Sequence, residues 1–182
     1  MTQSPHNQWE LGVQKGAALV LPHQAGWADE FHAEKGRLLQ GFESPPPLEH
    51  VGSTAVPGLA AKPIIDILMG FRDETEYEAC RTALKQLNYE YKGDPFTRGD
   101  HIYILTHDGF THTHKIHLTA HGGEEWMRKT AFRDYLIAHP DRARAYGDLK
   151  TRLARRFPNN RREYSRLKSE FIQAVLRDTP TK

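Results

Sequence analysis

An aspartate stands inside an apolar run, in the order Ile64, Ile65, Asp66, Ile67, Leu68 and Met69. On a strand, successive side chains point to opposite faces, so Asp66 shares a face with Ile64 and Leu68, while Ile65, Ile67 and Met69 line the other. Apolar residues on both faces predict a central strand covered on both sides. A carboxylate placed there without a partner is strongly destabilising, so Asp66 must reach a cation, a hydrogen-bond donor or the rim of the sheet. That makes it a candidate for metal binding or acid/base chemistry. Upstream, VGSTAVPGLAAK places Gly52 and Ser53 directly after a strand-like segment, with Gly58 and Lys62 beyond. Exposed backbone N–H groups, a hydroxyl and no bulky side chain suit phosphate oxygens, and Lys62 offers a point charge beside them. A plain Gly/Pro turn is the rival account of the same residues.

Histidines supply the second set of candidates. The stretch HTHKIHLTAH carries His112, His114, His117 and His121. Alternation sets His112 and His114 on one face and His117 and His121 on the other, so joining all three of His112, His114 and His117 needs a bulge. A histidine set beside an aspartate suits a transition metal such as Mn²⁺ or Zn²⁺, or a metal-free general base. His50 adjoins the Gly-Ser loop and His101 opens a strand, and Arg98 and Arg133 are possible phosphate partners, as is Lys168.

These residues need elements to hold them. The pattern predicts a short strand at 17–21, a helix over 27–42 ended by SPPPL, and a strand at LEHVG. A helix over 73–88 follows the Asp66 strand, with Tyr77, Cys80, Ala83, Leu84 and Leu87 on its inner stripe. Strands at 101–107 and 113–121 flank an HDGF turn. From about residue 123 the pattern is helical to the end, with Pro140 and Pro158 marking starts or stops. The expected fold class is α+β, a mixed sheet flanked by helices with a helical C-terminal extension. Residues 1–15 read as a flexible leader and 16–178 as a single domain.

Composition narrows the class of protein. The 182 residues are 38% hydrophobic and 26% charged, and the longest apolar run falls well short of the ~18 residues a membrane helix needs. A secretory signal is not evident at the N-terminus, so cytoplasmic residence is expected. Cys80, the one cysteine, falls on a helix's apolar stripe and reads as an inert core thiol. Residues 124–178 carry 14 Lys/Arg against 8 Asp/Glu, while the remainder is acidic. Those basic helices lack the aromatic stacking platform that would point to nucleic acid.

HVGSTAVPGLAAKPIIDI, together with KIHL, FRDYLIAHP, AYGDLK and YSRLKSEFI, resembles the GrpB-like family of bacterial proteins, over about residues 19–175. That family is grouped with the nucleotidyltransferase superfamily, and the resemblance implies a nucleotidyltransferase-like, polymerase-beta-like core. Superfamily enzymes pair a Gly-Ser loop with an Asp-x-Asp strand and a third carboxylate on a later strand. Two Mg²⁺ ions held there activate the attacking hydroxyl and stabilise the departing pyrophosphate. This chain departs from that pattern, since Ile64 or Leu68 stands where the second carboxylate belongs and neither can bind a hard cation. By resemblance KIHL lies where the third carboxylate is kept, which makes His117 the partner of Asp66. Two readings follow. One is a metal-dependent nucleotidyltransferase using Mg²⁺ or Mn²⁺, with Gly52, Ser53 and Lys62 on phosphate and Asp66 and His117 on the metal or as catalytic pair. The other is a catalytically degenerate protein that binds a nucleotide or coenzyme-like metabolite, a link the resemblance draws to coenzyme A synthesis.

Overall fold

The computed structural model describes residues 9–178 except positions 18, 41, 96 and 159, with backbone alone at 161 and 178. In chain order the elements are β1 (Val13–Gln14), α1 (Gly26–Leu39), β2 (Leu48–Val51), a 3₁₀ turn (Ser53–Ala55), β3 (Ile65–Phe71), α2 (Glu74–Gln86), β4 (Glu90–Gly93), β5 (His101–His107), β6 (Thr111–Ala120), α3 (Glu124–Ala138), α4 (Pro140–Arg156) and α5 (Arg161–Asp178). The strands form a mixed sheet in the order β2-β3-β6-β5-β4, with β1 set against the start of β6. β3 and β6 run parallel, and the other pairings are antiparallel.

Alternation along β3 sorts the molecule into layers. Ile65, Ile67 and Met69 join Trp27, Phe31 and Leu38 of α1, and Cys80 and Leu84 of α2, in the main core, where all but Phe31 are sealed from solvent. On the opposite face Leu68 packs with Val51 and with Trp126 of α3. Gly70 makes that approach possible, because an added Cβ would lie 2.8 Å from the Trp126 ring. Burying each large aliphatic side chain is worth roughly 1.5–3 kcal/mol, so the two layers together fix β3 as an interior strand covered on both faces. β6 alternates in step: Ile116 and Leu118 enter the α1/α2 core, which leaves Lys115, His117 and Thr119 on the α3 side.

Local signals define the helix ends. Asp73 caps α2 by accepting from the Glu76 N–H at 2.9 Å, and the Glu76 carboxylate reaches back to the Arg72 N–H at 2.7 Å. Pro140 opens α4, where its missing N–H has no helical partner to lose. α3, α4 and α5 pack on one another, and a second cluster of Val56, Leu59, Leu136, Ala143 and Tyr146 binds α3 and α4 to the segment after the Gly-Ser loop.

Three expectations from the sequence need correction. Only Leu21 of the 17–21 segment is paired, through an isolated bridge to Ala61, and position 18 lies outside the described residues. Pro22 has no N–H to extend the pairing beyond Leu21. Residues 1–8 of the expected leader lie outside the described residues, but residues 9–15 are built into the fold. Trp9 packs so closely on Gly26 that an added Cβ would meet its ring at 1.9 Å, and Val13 pairs with His112. β4 was not expected: EYKG is mostly exposed, so no hydrophobic alternation marks it.

Candidate functional site

Parallel pairing of β3 with β6 sets Asp66 opposite Lys115 and Leu68 opposite His117, with Asp66 and His117 on the same face. Asp66 Oδ1 lies 3.5 Å from His117 Nε2 and 4.0 Å from Lys115 Nζ. Behind the imidazole stands Asp100, just before β5, whose two oxygens are 2.9 and 3.1 Å from His117 Nδ1. Asp100 is 4% exposed, and it also accepts from Lys129 of α3 at 2.9 Å. Lys129 is shared with Glu125 at 3.6 Å, and Arg128 also pairs with Glu125. The result is a row running Asp66, His117, Asp100, Lys129 across three strands and a helix.

Protonation follows from this row. A carboxylate only accepts, so Nδ1 carries a hydrogen and donates it to Asp100. Burial pushes the His117 imidazole below its ordinary value, with help from the Lys115 and Lys129 charges. In the neutral ring Nε2 therefore presents a lone pair, which faces the Asp66 oxygen. Burial pushes the Asp66 carboxyl up, but the hydrogen bond that Nε2 donates once the ring has taken up a proton, together with the Lys115 charge, outweighs it and holds it at about 2. For Asp100, too, burial raises the value and is outweighed, here by His117 and Lys129, so it stays well below the carboxylate range. Two electron-rich atoms thus converge on a gap suited to a proton or a metal ion. Among the described residues no three His, Cys, Asp or Glu side chains come together as a metal cage, so an ion there would need oxygens from a ligand or water as well.

Gly52 closes one wall. It follows Val51, the residue paired with Asp66, and an added Cβ would lie 2.6 Å from Asp66 Oδ2. Its φ of +73° is a second reason for glycine. Ser53 opens the 3₁₀ turn beside it, and its side chain lies next to Tyr146 of α4. The charges of Lys150 on α4 and Lys168 on α5 both reach Asp66. The Gly-Ser loop, Asp66, His117 and the inner surfaces of α3 to α5 therefore share one side of the sheet.

Other candidates lie elsewhere. Lys62 donates to the Ala17 carbonyl at 2.9 Å. His50 is turned to the α1 side, stacked on Phe31 with ring centres 4.8 Å apart and bonded to Thr54 Oγ1 at 3.0 Å. His101 meets Tyr91 and Tyr77 on the α2 side. Arg98 is exposed in the bend before Asp100. Arg133 ties α3 to β2 through Glu49 and the His50 carbonyl, at 2.6 and 2.9 Å. A register shift does occur where Leu105 and Thr106 meet His114 and His112, but it lies before His114, and His114 enters the α1 side. Asp100 was missed because it ends the polar turn TRGD, yet it has the same parity as Ile102, which sits opposite His117. Lys129 was missed as one charge among many on α3.

An α+β architecture with a mixed sheet and a polar row crossing its central seam places the molecule in a structural class. The solved structure of conserved protein GrpB from Enterococcus faecalis has this architecture, with a TM-score of 0.76 at 30% identity over 88% of this chain and 98% of that one. The family model described as GrpB protein matches residues 18–178, and the chain belongs to the GrpB family. It is 33% identical to the glutamate-rich protein GrpB of Alkalihalophilus pseudofirmus over 92% of this chain and 99% of that protein. It is 34% identical to the UPF0157 protein YqkA of Bacillus subtilis over 86% of this chain, and that match spans 45% of YqkA. No described helix is long and apolar enough to cross a membrane.

Proposed function

We propose that this GrpB-family chain binds a nucleoside triphosphate or a related phosphorylated ligand against the Gly52–Ser53 loop, in the manner of a nucleotidyltransferase. The observation that carries this reading is the facing pair of Asp66 Oδ1 and His117 Nε2 under a loop whose glycine touches the carboxylate. Asp66 and His117 are the residues that would hold a divalent ion such as Mn²⁺ or Mg²⁺, completed by phosphate oxygens and water. Such an ion would neutralise charge on the phosphoryl group. Asp100 keeps the hydrogen on Nδ1 and so keeps Nε2 available, as ligand or as the base that takes a proton from an acceptor hydroxyl. Lysines around Asp66 give the pocket the sign that suits a polyphosphate.

Asp100 also supports the second reading, a binding protein without chemistry. Its carboxylate is occupied by His117 and Lys129, so it does not replace the carboxylate missing beside Asp66. Titration calorimetry with ATP and Mn²⁺ tests the binding they share: Asp66→Ala abolishes the metal-dependent part and leaves the circular-dichroism spectrum intact. Unchanged nucleotide affinity in that variant overturns the reading. Release of pyrophosphate from labelled triphosphates then separates a transferase from a binder.

A further inference from the structure

The buried stripe of α4 runs Ala143, Tyr146, Gly147, Lys150 and Leu153. These positions keep to one side of a helix, so a lysine there is as unexpected as an aspartate inside β3. Lys150 is 3% exposed. Its ammonium group donates to the Ala60 carbonyl at 2.5 Å and lies 4.6 Å from the centre of the Tyr146 ring. A carbonyl and a ring face stabilise a cation without neutralising it. Attraction comes from Asp66 on β3, and Lys168 of α5 opposes it, so two cations bear on one carboxylate.

Placement points the same way. Gly147 lets α4 close on the segment following the Gly-Ser loop, since an added Cβ would stand 3.3 Å from Leu59. Val56, Leu59, Leu136, Ala143 and Tyr146 pack that junction, and Tyr146 lies beside Ser53. One turn separates Tyr146 from Lys150, so the lysine is carried to the same loop by a rigid helix. Lys62, the lysine that sequence spacing offers for phosphate, is held on the Ala17 carbonyl.

We propose that Lys150, with Tyr146 beside it, is the phosphate-recognising side chain of this site, delivered by α4 to the Ser53 side of the loop. The proposal rests on the reading that the site takes a phosphorylated ligand. Without ligand the amine rests on Ala60, and burial, with the Lys168 charge, lowers it to about 7 against the pull of Asp66. Tyr146 and Tyr164 of α5 are neighbouring titratable groups, and burial raises both. A phosphate beside Ser53 supplies the negative charge the pocket lacks, and the amine takes up a proton as it engages a phosphate oxygen.

Calorimetric titration with inorganic triphosphate and with ATP, at pH 8 in two buffers of different ionisation enthalpy, tests this. The wild type binds with net proton uptake. Lys150→Met weakens binding about thirtyfold and removes the uptake, the scale expected for one charge-assisted hydrogen bond. Lys150→Arg, which cannot lose its proton, binds without uptake, and it carries the test if Lys150→Met fails to fold. Lys62→Ala binds within about twofold of the wild type, since an exposed charge contributes little. Wild-type affinity in Lys150→Met, persistent uptake in Lys150→Arg, or the loss appearing in Lys62→Ala overturns the assignment alone. A wild type that binds neither ligand overturns the phosphorylated-ligand reading, and this assignment with it.

Discussion

His114 and His117 stand three residues apart on one strand and face opposite layers of the molecule. His114 enters the α1/α2 core, 6% exposed, with Nδ1 on its neighbour Thr113 at 3.1 Å and Nε2 buried without a hydrogen bond among the described residues. Burial lowers it to about 4. Close by, Glu34 is closed on all sides: Arg37 donates to both of its oxygens at 2.6 and 2.8 Å, and the Tyr89 hydroxyl donates at 2.7 Å. His117 is held as firmly on one nitrogen and left facing an acceptor on the other. Buried polarity that satisfies itself holds a fold together, whereas polarity aligned and then left open is arranged for something that arrives.

The comparison breaks first at Glu34. Glu34→Ala leaves the Arg37 fork and the Tyr89 hydroxyl unmatched, and urea unfolding should show a loss of about 3 kcal/mol with ligand binding unchanged. A change in ligand affinity as large as the change in stability would erase the distinction between the two faces.

His114 sharpens it through pH. Between pH 6.5 and about 4 the unfolded chain binds a proton at this residue and the folded chain does not. Stability from the neutral ring is therefore present above pH 6.5 and lost as pH falls toward 4, by up to about 3 kcal/mol. His50, which burial also lowers to about 4, works in the same window. His114→Leu should flatten this acid limb by about half, read from urea midpoints across pH. An unaltered limb would show that His114 is not sealed.

Lys150 yields the smallest effect, of opposite sign. Replacing a buried, unneutralised ammonium by methionine should raise stability at pH 7 by about 1 kcal/mol. A site that weakens the fold to keep a charge is kept for function, and a destabilised Lys150→Met would instead make Lys150 structural.

Much of this was legible in the chain. Asp66 among isoleucines gives both the doubly covered strand and its polar exception, and the 3.6-residue spacing gives the helices to within a few residues. His117 is distinguished from His114 by parity alone. Asp100, Lys129 and Tyr146 were not legible, because their partners lie 17, 29 and 93 residues away and are brought together only by the seam of the sheet and the docking of α3 and α4. Lys150 had a local signal, its place in the Ala143–Tyr146–Gly147 stripe, which was obscured by the general basicity of the C-terminal helices.

The parallel pairing of β3 with β6 also governs when the site comes into being. β2 and β3 make one antiparallel piece and β4 to β6 another, each assembled from neighbours in the chain. Joining them requires closing the long connection through α2, β4 and β5, a slow, non-local event in folding. Asp66 belongs to the first piece, and Asp100 and His117 to the second. Until the two meet, a newly made chain holds a carboxylate and an imidazole that have no common neighbourhood, so any reactivity of the finished protein waits on the closing of that seam.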